Sequence, residues 1–138
     1  MGGRPGQCWP GTGYAFGGDW SAESGYSAGQ QLIDDGECTA VFAANDQMSL
    51  GVMRAAYERN LGLPRDLSVV GFDDSPESGY YFPPLTTIRQ DFAELGRRCV
   101  AMILEGISGN DPLFSVRIQP HLTLRASTGP RPVALTRS

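Results

Sequence analysis

Apolar and polar positions follow two different rhythms along this chain, and the rhythm changes at glycines, prolines and short polar clusters. From Ser21 to Asp35, the residues Ala22, Tyr26, Gly29 and Ile33 recur at helical spacing, with Ser21 as N-cap and Gly36 as stop, which predicts an amphipathic helix. Thr39 to Ala44 is a short apolar run closed by Asn45 and Asp46, the pattern of a buried strand that hands over directly to a helix. That helix is predicted from Gln47 to Asn60. Met48, Val52, Ala55 and Ala56 lie on one face, Arg54, Glu58 and Arg59 on the other, and Gly62 and Pro64 follow it. Asp46 is assigned to capping it.

Leu67 to Phe72 reads as a second buried strand, closing on Asp73 and Asp74. A strand, a helix and a strand at this interval fit a parallel crossover unit, which brings Asn45 and Asp73 to the same edge of the sheet. Ser75 to Pro84 is a loop carrying Tyr80, Tyr81 and Phe82, and Leu85 to Ile88 a short strand. Phe92, Leu95, Cys99, Met102 and Ile103 give another helical stripe, capped by Asp91 and broken between Gly106 and Pro112. Ser115 to Ala126 is extended, and Pro120 places it at a sheet edge or bends it midway. From Ser127 onward the chain reads as a frayed tail.

The chain has 138 residues, enough for one ordinary domain, and is 41% hydrophobic. Glycine and proline concentrate at its ends: Met1 to Gly18 holds seven glycines and two prolines, so that stretch reads as irregular. The net charge of −4 and the scattered Lys and Arg residues lack the basic footprint of a nucleic-acid-binding surface. Cys8, Cys38 and Cys99 are odd in number and have no C-x-x-C spacing, so neither a disulfide framework nor a zinc site is suggested. With no signal-peptide pattern and no apolar run near eighteen residues, the expected location is cytoplasmic, with no membrane contact.

Gly18-Asp-Trp-Ser-Ala-Glu-Ser-Gly-Tyr26, Ala43-Ala-Asn-Asp-Gln-Met-Ser-Leu-Gly51, Ser68-Val-Val-Gly-Phe-Asp-Asp74, Pro83-Pro-Leu-Thr-Thr-Ile-Arg-Gln-Asp-Phe92 and Leu95-Gly96 occur in that order. In these blocks the chain closely resembles the lactose-repressor/galactose-repressor (LacI/GalR) family of transcription regulators, over Gly18 to Thr128. The resemblance implies an α/β fold: a parallel-sheet, three-layer lobe of the type I periplasmic-binding-protein-like kind, incomplete because the second lobe is mostly missing. It divides the chain into an irregular segment 1–17, a regulator part 18–128 whose helix 91–107 belongs to the other lobe, and a tail 129–138. That helix is therefore expected to leave its apolar stripe without its native partners.

The implied function is the effector-binding and dimerisation portion of a DNA-binding transcriptional regulator, a repressor, that responds to a sugar or related small molecule. Operator DNA would be read only through a helix-turn-helix headpiece outside the blocks matched here. By matched position, Trp20 offers an aromatic face to a sugar ring, Asn45 and Asp73 hydrogen-bond its hydroxyls, and Phe92 and Leu95 roof the pocket. An ionised Asp accepts two hydroxyl donors and an Asn amide both donates and accepts, so the pair can read a diol. Tyr26, Tyr80, Tyr81 and Phe82 match positions that face a twofold partner, which implies a homodimer. No cofactor and no metal are implied.

Each assignment has a plainer alternative. Trp20 could be a core tryptophan, Asn45 a strand-end residue satisfying backbone groups, and the aromatic loop a core plug. Asp73 and Asp74 point opposite ways on a strand end with no third ligand near them in sequence, which disfavours a metal site. The run Gly11 to Gly17 lacks the spacing of a phosphate loop. His121 has no nucleophile in a recognisable elbow, so no catalytic residue is assigned and the chain is not expected to be an enzyme. A sugar-binding module of transport with the same fold is the alternative function, disfavoured by the lack of an export signal.

Overall fold

The computed structural model describes residues 7–9, 13–109 and 117–131. Two short strands, β1 (Gln7–Trp9) and β2 (Gly13–Ala15), pair antiparallel at the amino end. The expectation of an irregular segment there is thus corrected: the close spacing lets the two three-residue strands fold back on each other. The rest of the order is α1 (Ala22–Asp34), β3 (Ala40–Phe42), α2 (Asp46–Glu58), β4 (Ser68–Asp73), β5 (Thr86–Arg89), α3 (Phe92–Ile107) and β6 (His121–Thr123). A single 3-10 turn, Ser78–Tyr80, lies between β4 and β5.

The main sheet has the order β3-β4-β5-β6, with the first three strands parallel and β6 antiparallel at the edge. Pro120 falls just before β6, where its missing N–H costs the ladder nothing. Within the predicted extended segment Ser115 to Ala126, only His121–Thr123 forms a strand among the described residues, and Ser115 and Val116 lie outside them. The predicted tail begins too early. Ser127 is fully buried: its Oγ accepts from Thr86 N–H at 2.8 Å and donates to the Val69 carbonyl at 2.6 Å. It stitches β4 to β5, a role that a serine followed by Thr-Gly-Pro does not advertise in sequence.

One face of the sheet is covered by helix. Val52, Met53 and Ala56 of α2 pack on Val69, Leu67 and Leu85 to form the core, with Val41, Ile33 and Tyr81 at its margin. α1 lies on α2 at very short range: a β-carbon at Gly51 would strike the Ala22 carbonyl and the Tyr26 nitrogen, and one at Gly25 the Met48 backbone. On the opposite face, Phe42 and Phe72 meet edge to face at 6.5 Å, and Phe42 and Leu122 stay exposed. α3 buries none of its residues, and Phe92, Leu95, Val100, Ile103, Leu104 and Ile107 are exposed along it. Among the described residues nothing covers this stripe.

Candidate functional site

The carboxyl ends of β3, β4 and β5 bring the polar residues together, as parallel strands must. Phe42 is opposite Val70 in the β3–β4 register, the last pair of that ladder, and Asp73 lies three residues further along β4. Asp73 in turn pairs with Arg89 of β5. Next to Asp73 opens a cleft of about 840 Å³, lined among others by Asp73, Arg89, Gln90, Phe92, His121 and Thr123. A smaller recess of about 220 Å³ shares Gln90 and Asp91 with it and adds Phe72, Leu95 and Ile118. Of the predicted effector residues, Asp73 and Phe92 thus line the larger cleft and Leu95 the neighbouring recess.

Asp73 is oriented by a neighbour that the sequence reading did not single out. Gln90 Nε2 donates to Asp73 Oδ1 at 2.8 Å, while Asp73 Oδ2 has no protein donor among the described residues. That leaves an aimed acceptor at the cleft, next to an amide with its own spare donor and acceptor. The signal for Gln90 was positional: as the residue after β5, it had to arrive at the same sheet edge as Asp73. The backbone here is unusual. Asp73 and Asp74 have φ of 109° and 56°, a region non-glycine residues avoid.

Trp20 and Asn45 form a second group, joined to each other and absent from the lining of both recesses. Asn45 Nδ2 donates to the Trp20 carbonyl at 3.0 Å, and Asn45 Oδ1 accepts from Met48 N–H at 2.7 Å. Asn45, and not Asp46 as expected, is therefore the N-cap of α2. The reason is geometric: Asn45 has extended backbone, φ −152°, whereas Asp46 already belongs to the first helical turn. What Asn45 keeps for a ligand is one amide hydrogen and one lone pair. Trp20, with φ 71° and 64% of its surface exposed, presents an open indole face.

The residues matched to a twofold interface divide. Tyr80 and Phe82 are almost fully exposed, at 90% and 97%. Tyr81 instead turns its ring against the core and buries a hydroxyl with no hydrogen-bond partner among the described residues. Within the aromatic loop, Tyr81 fits the plug reading, whereas Tyr80 and Phe82 are open. Tyr26 spans the seam between helices, donating to Glu58 and accepting from Gln30 Nε2 at 2.8 Å. The hydrogen bond to Glu58 raises its phenol above the ordinary value.

Among the described residues no three His, Cys, Asp or Glu side chains gather as a metal site would need, and no helix is long and apolar enough to cross a membrane.

The ends of β4 and β5 supply an oriented carboxylate and an amide to the cleft, and α3 adds the ring of Phe92, at the sheet edge where open α/β folds bind ligands. The periplasmic binding protein-like domain family matches residues 9–128. This chain belongs to that family. It is 44% identical over 117 residues to the lactose operon repressor of Escherichia coli (strain K12), a match covering 80% of this chain and 32% of the repressor. A solved dimeric Lac repressor with an 11-residue C-terminal deletion superposes with a TM-score of 0.75 at 44% identity, over 80% of this chain and 41% of that one. The cellobiose complex of the transcriptional regulator CelR superposes with a TM-score of 0.76 at 32% identity, over 80% and 34%. The lobe is the effector-binding region of the LacI/GalR type, and it spans about a third of the length of the curated relatives it matches. The family match begins at residue 9, ahead of the Gly18 at which the resemblance started, and so takes in β2.

Proposed function

We propose that this lobe is the effector-binding and dimerising portion of a DNA-binding transcriptional regulator, a repressor, whose effector is a neutral sugar or a closely related polyol. The observation that carries the reading is Asp73: it lines an open cleft beside the exposed ring of Phe92, with one oxygen held by Gln90 and the other without a donor among the described residues. A sugar hydroxyl donates to the free oxygen, the Gln90 amide takes a neighbouring hydroxyl, and Phe92 and Leu95 cover the apolar edge of the ring. Trp20 and Asn45, which line neither recess, are assigned to the far side of the ligand. The CelR relative, solved with cellobiose, supports a saccharide over other small molecules.

Binding and release without turnover suit this set of groups, and the relatives are transcriptional regulators. Regulators among the relatives favour control of transcription over transport, and with it a cytoplasmic location. Tyr80, Phe82, the half-buried Tyr81 and, on α1, Tyr26 are the residues assigned to docking of a second copy. Ligand-dependent closure then changes the dimer's fit to operator DNA, which is read by a separate headpiece.

Titration of cellobiose into the ¹⁵N-labelled chain, followed by backbone and side-chain amide shifts, tests the effector reading. Concerted shifts at Asp73, Gln90, Phe92 and the Trp20 indole are expected. Shifts confined to α1 and α2, or none at millimolar sugar, would count against it.

A further inference from the structure

Asp46 is 2% exposed and is the one charged side chain fully buried among the described residues. A carboxylate at that depth needs a complete set of partners. Asp46 Oδ2 accepts from Ser75 N–H at 2.7 Å, and Oδ1 accepts from Thr87 Oγ1 at 2.6 Å. The space it occupies is kept open by Gly71, where a β-carbon would overlap Asp46 Oδ1 and come within 2.9 Å of Ser49 Oγ. Asp46 also stands in the first turn of α2, where the helix end favours negative charge.

These two hydrogen bonds reach the strands that supply the cleft. Ser75 directly follows Asp73 and Asp74, whose left-handed backbones are strained and persist only where the surroundings hold them. Thr87 lies on β5, three residues before Gln90, and pairs with Gly71 in the register. The start of α2, the turn after β4 and the middle of β5 are thus fastened at one carboxylate.

We propose that Asp46 is a positioning residue for the effector cleft: anchoring Ser75 N–H and Thr87, it fixes the strained Asp73–Asp74 turn and aims the Asp73 carboxylate at Gln90. It touches no ligand itself. The proposal rests on the reading of Asp73 as an effector contact, and its consequence is that ligand specificity depends on a buried residue behind the site.

The test reads the turn directly, without ligand. In the ¹⁵N-labelled chain, Ser75 amide exchange and the Gln90 side-chain NH₂ resonances are compared across variants, with Asp73→Ala giving the position of an unpaired Gln90. Asp46→Ala is expected to speed Ser75 exchange about tenfold, the worth of one hydrogen bond, and to move Gln90 to its Asp73→Ala position. The Ala43 amide, bonded to the Val70 carbonyl, should remain protected. Asp46→Asn should restore wild-type behaviour within about twofold, because its Oδ1 can face Ser75 N–H while its Nδ2 donates to the Thr87 hydroxyl.

Unchanged Ser75 and Gln90 signals in Asp46→Ala, or an Asn variant as impaired as the Ala variant, would overturn the proposal. Should Asp46→Ala not fold, Thr87→Val removes one anchor only: faster Ser75 exchange with an intact ladder supports the positioning role, and no change refutes it. Cellobiose titrations of the same samples separate the two readings. If the wild-type chain ignores the sugar while the Ser75 and Gln90 signals behave as expected, the effector assignment fails and the positioning of Asp73 stands.

Discussion

Arg125 Nη2 donates to Asp74 Oδ1 across 2.7 Å, joining the turn after β4 to a segment 51 residues later. Their side chains are 24% and 7% exposed, and the same guanidinium reaches the Leu85 carbonyl at 2.8 Å and Ser78 Oγ at 3.1 Å. This pair holds the strained turn at Asp74, one residue before the Ser75 amide that donates to Asp46. Removing the cation leaves a nearly buried carboxylate with only hydroxyl partners, so Arg125→Met is expected to cost about 3 kcal/mol. Urea denaturation of the two proteins measures the difference.

The same pair sets an acid limit. Burial pushes the Asp74 carboxyl up, but hydrogen bonds from Arg125 and Ser78, the arginine's charge and Thr123 outweigh it, so the group titrates below its ordinary 3.8. The unfolded chain therefore takes up this proton first as pH falls. The stabilisation is complete above pH 3.8 and is lost as pH drops through the lower, folded-state value. Denaturation midpoints between pH 5 and pH 2, roughly the window over which such a carboxylate titrates, should fall less steeply in Asp74→Asn than in the wild-type chain.

Gly25 and Gly51 let α1 and α2 touch through their backbones, and the atoms a side chain would meet cannot rotate away. Either Gly25→Ala or Gly51→Ala should destabilise by about 1–3 kcal/mol or more, in spite of alanine's better helix propensity. Thermal melts by circular dichroism check the sign. An unchanged or raised midpoint would mean that the helices are farther apart than described.

A parallel sheet is normally covered on both faces, and here Phe42 and Leu122 of one face and the apolar stripe of α3 are open among the described residues. Apolar area of this kind drives association. Replacing Ile103 and Leu104 by Glu should reduce both dye binding and concentration-dependent sedimentation, while the urea midpoint moves by no more than about 0.5 kcal/mol equivalent, as for exposed positions generally.

Tyr80 and Phe82 project from the surface, whereas Tyr81 is packed. Tyr80→Asp combined with Phe82→Asp should weaken dimerisation in sedimentation equilibrium without loss of fold. Tyr81→Phe, which deletes a buried hydroxyl without a partner among the described residues, should leave stability unchanged or raise it.

Periodicity carried most of the architecture. The stripe from Phe92 and the cap at Asp91 placed α3 correctly because helical spacing persists whether or not the helix is covered. Asp73 was legible because a buried strand ending in polar residues delivers them to an edge. What sequence did not reveal depends on contacts between distant segments. Whether Asn45 or Asp46 caps α2 is decided by where the backbone leaves β3. That Ser127 is buried, and that Arg125 reaches Asp74, follows from how the last segment crosses β4 and β5. The pairing of β1 with β2 joins two three-residue strands, too short for any hydrophobic period to register.

The most direct test of an effector cleft at the β4 end is calorimetric titration of cellobiose into the wild-type chain and into Asp73→Ala. A charge-assisted hydrogen bond is worth about 1.5–3 kcal/mol, so the variant should bind at least about tenfold more weakly with its fold intact. Equal affinity in the two proteins would contradict the assignment of Asp73, and with it the account of how this lobe recognises its ligand.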